Sequence, residues 1–174
     1  MKYIWMALIS TALLCGIVTP ASADASPAVW GSKDIYVYDK TPVGHYPVQQ
    51  AAEYWDNDTR ANVNFIYTRK PCAAKVQCVT VTEVGNLPSP AIGRAGRRLS
   101  GGVVVSAVVE LDSQYWKKQD AAHERSLACH ELGHVLMGPG HSTHKNSCMQ
   151  SKNYGDKTPD ADDFAKVRSL YRVR

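Results

Sequence analysis

Residues 130–141 read His130-Glu131-Leu132-Gly133-His134-Val135-Leu136-Met137-Gly138-Pro139-Gly140-His141. His130 and His134 are four apart, so on a helix their imidazoles leave one face a single turn apart. That spacing lets two ring nitrogens close on one Zn²⁺ at about 2.0–2.1 Å. Glu131 falls about 100° round the same helix, beside the metal without having to bind it. A carboxylate there can take a proton from a zinc-bound water, the hydrolytic arrangement that a His-Glu-x-x-His pattern signals. Gly138 can end the helix in a left-handed turn, and Pro139 blocks its continuation. A chain that reverses there brings His141 to the same metal. Three protein ligands and one open position describe a catalytic zinc site, not a structural one. The bland alternative is a surface pair or two satisfied core histidines.

Outward from this stretch, Val103 to Leu111 is almost continuously apolar, which predicts a strand buried on both faces. Asp112-Ser113 ends it, and a helix is expected from about Gln119 to Met137. An irregular loop over 138–157 leads to Thr158-Pro159-Asp160, a helix start with Pro in the first turn. Phe164, Val167, Leu170 and Tyr171 supply the apolar face of that last helix. Towards the other end, Ile35–Tyr38, Val63–Tyr67 and Cys78–Thr82 read as strands. Val48, Ala51, Ala52 and Trp55 recur at helical spacing. Residues 85–101 form a long connection with a strand near Ile92–Leu99, and 24–33 a loosely held N-terminus. The order predicts a single α+β domain whose motif helix crosses one face of a sheet, with the C-terminal helix nearby.

Lys2, an apolar run from Ile4 to Val18 and Ala21-Ser22-Ala23 make a secretory signal peptide. Cleavage is expected after Ala23, leaving 24–174 as one domain. The run is about 15 residues, short for a membrane span, so no stable membrane association is expected. Cys72, Cys78, Cys129 and Cys148 remain. An even count in an exported chain implies disulfides over buried thiols. Three pairings exist; proximity favours Cys72–Cys78 and leaves Cys129–Cys148. The formal net charge of +4 carries no Lys/Arg run of the kind nucleic-acid binding needs. Arg94, Arg97 and Arg98 read as a solvated strand face or loop.

His130-Glu131-Leu132-Gly133-His134, then Gly138, His141 and Met149, resemble the zinc motif and Met-turn of the metzincin metallopeptidases. The resemblance is closest to the matrixin-like and small secreted bacterial branches, and covers about Ile35 to Tyr171. It implies a zincin-like domain with a twisted mixed β-sheet, one catalytic Zn²⁺ on His130, His134 and His141, and Glu131 as general base. Met149 would be an apolar floor beneath the metal. The family pattern places its glycine three and its third ligand six residues after the second His; here they stand four and seven after it. One extra residue therefore sits in the turn, and His144 stays open as a rival third ligand. Ser151 occupies the position where some metzincins carry a Tyr that reaches zinc, with Tyr154 a remote substitute. Ca²⁺ is compatible with the resemblance, but no residue pattern indicates it.

The function this implies is a secreted, monomeric zinc endopeptidase. It would bind extended polypeptide along an exposed sheet edge within about 91–99 and attack it with zinc-bound water activated by Glu131. Two other readings compete: a zinc hydrolase of a non-protein amide, and a non-catalytic exported zinc-binding module on the same scaffold.

Overall fold

The computed structural model describes residues 28–58, 62–152 and 155–172, apart from the side chain of Trp116. Its elements run β1 (Asp34–Asp39), α1 (Val48–Asp56), β2 (Asn64–Thr68), β3 (Cys78–Val84), β4 (Gly93–Ser100), β5 (Val103–Asp112), α2 (Ser113–Trp116), α3 (Ala121–Met137) and α4 (Ala161–Leu170). The expected signal peptide, residues 1–23, lies outside the described residues, as does Tyr154. Among the described residues no helix is long and apolar enough to cross a membrane.

The strands form one mixed sheet in the order β2-β1-β3-β5-β4. All neighbours are parallel except β4, which runs antiparallel to β5 and, among the described residues, has no strand on its other edge. Alternate residues point to the core: Ile35 and Val37 in β1, Val79 and Val81 in β3, Val109 and Leu111 in β5. Against this face pack Val48, Ala51, Ala52 and Trp55 of α1 and Leu127, Leu132 and Val135 of α3. The fold is α+β, as the element order implied.

The strand β5 is not buried on both faces. Val104, Ala107, Val109 and Leu111 are buried, while Val108 is 46 % exposed. The inward positions change parity because β4 pairs Leu99 with Val104 but Arg98 with Ser106, leaving Val105 as an extra residue. A bulge of this kind twists the strand and re-aims the side chains beyond it. Among the described residues the helices pack into one core against the inward face, so the valine run overstates its burial.

Within the N-terminal segment, Trp30 is more firmly held than its sequence suggests. Trp30 is buried and donates from Nε1 to the Val135 carbonyl at 3.1 Å. Tyr171 donates to the Leu136 carbonyl at 2.9 Å, and the Gly138 N–H to the His134 carbonyl at 2.9 Å. These are carbonyls that the last turn of a helix leaves unpaired. Trp30 and Tyr171, near the two ends of the described residues, therefore both fasten the C-terminus of α3.

Helix starts coincide with side-chain caps. Asp120 accepts from the His123 N–H at 3.0 Å, so α3 begins at Ala121, after the short α2, and not at Gln119. Asp160 caps α4 in a capping box with Asp163. Pro159 thus precedes the cap instead of occupying the first turn.

Candidate metal centre

Almost every residue of α3 from Ser126 to Met137 is buried, polar ones included. A helix enclosed on all sides must explain each polar group it carries. His130 donates from Nδ1 to the Cys148 carbonyl at 2.7 Å, and His134 from Nδ1 to the Gly138 carbonyl at 3.1 Å. A carbonyl can only accept, so both rings carry their proton on Nδ1 and offer a lone pair at Nε2. The two Nε2 atoms face each other at 3.0 Å. Two nitrogens on one tetrahedral zinc at about 2.05 Å would lie about 3.3 Å apart.

His141 completes the set. Its ring centroid is 5.2 Å from that of His130 and 5.1 Å from that of His134. One ligand atom from each of the three lies within 4.8 Å of the others. Burial, reinforced by the neighbouring His134, holds the His130 imidazole down to about 4. Burial also lowers His134, with His141, Lys166 and Arg97 adding to it. Neutral imidazoles are the form that binds metal. The donor set, its tautomers and its spacing all fit Zn²⁺.

The extra residue is absorbed by the helix end. α3 continues through Val135, Leu136 and Met137, and Gly138 at φ +78° breaks it. Gly140 at φ +113° then turns the chain back to His141. Both glycines hold conformations that side chains resist. His144 lies elsewhere: its Nδ1 pairs with Asp160 at 2.8 Å and its Nε2 approaches Asp162 at 3.4 Å. Ser151 is exposed.

Glu131 is 4 % exposed, and burial alone pushes its carboxyl up to about 8. Gly93 of β4 makes room for it, since a Cβ there would stand 2.5 Å from Glu131 Oε1. A cleft of about 410 Å³ runs between β4 and the end of α3, lined by Gly93, Arg97, His130, Glu131, His134 and His141 among others. Arg94 and Arg98 are exposed and pair with Glu110 and with the Ser106 hydroxyl. Arg97 departs from the solvated reading of this cluster. It turns into the cleft beside Gly138 and donates to the Ala28 carbonyl at 3.0 Å. Gly93 carries no signal in the sequence and Arg97 shows there only as one of three arginines, because their roles depend on which face of β4 meets α3.

Met149 is buried against Gly133, where an added Cβ would collide with Met149 Sδ and stand 2.6 Å from Trp55 Cζ2. Gly133→Ala is expected to cost about 1–3 kcal/mol of stability by overpacking, read by urea unfolding. An unchanged midpoint would mean that Met149 can move aside freely.

His123 is half-buried and pairs with Asp120 at 2.8 Å, and His45 pairs with Glu83 at 2.8 Å. Neither joins the cluster. At the end of α1, Asp56 accepts from the Phe65 N–H at 2.8 Å, and Asp58 pairs with Arg168 of α4.

A family model described as matrixin, a peptidase family, matches residues 45–172. That span reaches from the turn before α1 through the histidine cluster to the end of α4. No curated protein matches the chain.

Proposed function

The chain belongs to the matrixin family of metallopeptidases, and from that premise we propose that it is a secreted zinc endopeptidase acting on extended polypeptides. In this reading residues 1–23 direct export and 24–174 form one catalytic domain. His130, His134 and His141 hold a single zinc ion. The observation that carries the proposal is the convergence of three imidazoles on one point beside a buried glutamate with room in front of it.

When bound, zinc supplies acidification of a water and polarisation of the scissile carbonyl. Glu131 takes the proton of that water and delivers it to the leaving amine. Glu131 lines the cleft beside His130 and His134, and Gly93 leaves room at its carboxyl, which places it to reach that water. The free edge of β4 is open to backbone pairing with a peptide laid along the cleft. Arg97 gives an N–H to a backbone carbonyl and so keeps its full charge at the cleft wall. Acidic side chains near the cleaved bond are the ones it would favour.

The test is a mixed peptide library incubated with purified residues 24–174 and read by mass spectrometry. Cleavage is expected with zinc, lost on chelation, restored by zinc, and enriched for nearby Asp and Glu. A zinc-loaded protein that cuts no peptide would overturn the endopeptidase reading and turn attention to a non-protein amide or to binding alone.

A further inference from the structure

Beside the His130 imidazole lies a covalent bridge with no part in the water activation. Cys129 precedes His130 in α3, Cys148 precedes Met149 in the loop, and their sulfurs are joined. Both cysteines are completely buried. Between the same two dipeptides runs the hydrogen bond from His130 Nδ1 to the Cys148 carbonyl, at 2.7 Å. The bridge and the hydrogen bond close one small ring around the first imidazole. The carbonyl that sets the tautomer of His130 therefore belongs to a residue tied covalently to its neighbour.

The same bridge reaches the third histidine. The Met149 carbonyl accepts from the Ser142 N–H at 2.8 Å, and Ser142 is the next residue after His141. The Ser147 hydroxyl accepts from the Met149 N–H at 2.8 Å and donates to Asp163 of α4 at 2.6 Å. Loop 141–149 thus hangs from the Cys148–Met149 pair at one end and from His141 at the other. Neighbouring helix residues point about 100° apart, so the sulfur of Cys129 braces the helix without competing for the metal. The other bridge, Cys72–Cys78, lies between β2 and the start of β3, and neither of its cysteines lines the cleft.

We propose that the Cys129–Cys148 disulfide is a positioning element of the metal centre, so that zinc affinity depends on this bridge being oxidised. The proposal rests on the reading of His130, His134 and His141 as ligands. Its consequence is a centre that gains full affinity only in an oxidising compartment. Partners that orient a metal-binding His typically change affinity by about 10–100-fold when removed, and that is the expected range here.

The experiment compares zinc affinity, by competition with a chromophoric chelator, in three proteins: the unaltered chain, Cys129→Ala with Cys148→Ala, and Cys72→Ala with Cys78→Ala. The first pair of substitutions is expected to weaken zinc binding by about 10–100-fold. The second is expected to leave it within about threefold, below the loss that removal of an orienting partner produces. Equal affinities in the three proteins would overturn the proposal. Failure of the unaltered chain to bind zinc would instead overturn the ligand assignment on which it rests.

Should the first variant not fold, the unaltered zinc-loaded protein is treated with a phosphine. The sulfur–sulfur bond breaks, each sulfur gains a proton, and phosphorus takes oxygen from water to become the phosphine oxide. Zinc release should track the appearance of thiols at Cys129 and Cys148, mapped by alkylation and mass spectrometry. Release that tracks Cys72 and Cys78, or retention of zinc after Cys129–Cys148 is open, sinks the idea.

Discussion

Glu131→Gln is expected to lower kcat for peptide hydrolysis by about 10²–10⁴-fold, the usual worth of a positioned base, while zinc content stays at the level of the unaltered protein. Glutamine keeps the shape that Gly93 accommodates and removes only the ability to accept the proton. The substitution also has a stability signature. Burial pushes the Glu131 carboxyl up to about 8 in the folded, metal-free chain, against 4.5 as its ordinary value. The folded state then binds the proton more tightly than the unfolded state. The group's stabilising contribution is complete below about 4.5 and is lost as pH rises through 8. Metal-free wild type should therefore lose stability between about pH 5 and pH 8 relative to Glu131→Gln, as read by urea unfolding at both values. Parallel pH curves would show that Glu131 finds a partner when the metal is absent. Retained hydrolysis by the glutamine variant would remove Glu131 from the role of base.

The motif helix, the strand before it and the capped helix after it are legible in the sequence because each carries a local signal. Histidines at helical spacing, a valine run and the Thr158-Pro159-Asp160 helix start depend on nothing far away, although Pro159 proves to precede the Asp160 cap. The disulfides are legible for a related reason: Cys72 and Cys78 are neighbours in sequence, and their pairing leaves Cys129 for Cys148. The features that escape a sequence reading depend on distant partners. The buried state of Trp30 arises from a free carbonyl on Val135, over a hundred positions away. The parity change in β5 arises from how β4 pairs with it, and that register is not written in β5. Arg97 reads like Arg94 and Arg98 until the strand is laid on the sheet, because alternation then sends it to the helix side. Within the site, the histidines and Glu131 are visible as a pattern. The groups that orient them, the carbonyls of Cys148 and Gly138, are not, since every residue has a carbonyl and only the fold selects two.

His141→Ala is expected to weaken zinc binding by more than about 100-fold, beyond the loss caused by removing an orienting partner, whereas His144→Ala should leave affinity within about threefold of the unaltered protein. The two histidines lie three positions apart in one loop, and spacing alone does not choose between them. Geometry does: His141 joins the rings of His130 and His134, while His144 is held by Asp160 and Asp162 at the start of α4. Those carboxylates raise the His144 pKa, which favours a protonated ring with no lone pair left for a metal. The ligand-field spectrum of the Co²⁺-substituted protein gives a second readout, changing with His141→Ala and not with His144→Ala. The reverse pattern would mean that the loop refolds when metal enters and that the Gly138–Gly140 turn is a hinge. The expected pattern would mean that the added residue is taken up wholly by one more step of α3 and two glycines at positive φ. The third ligand of such a site would then be set by where the turn delivers it, and not by its count from the second histidine.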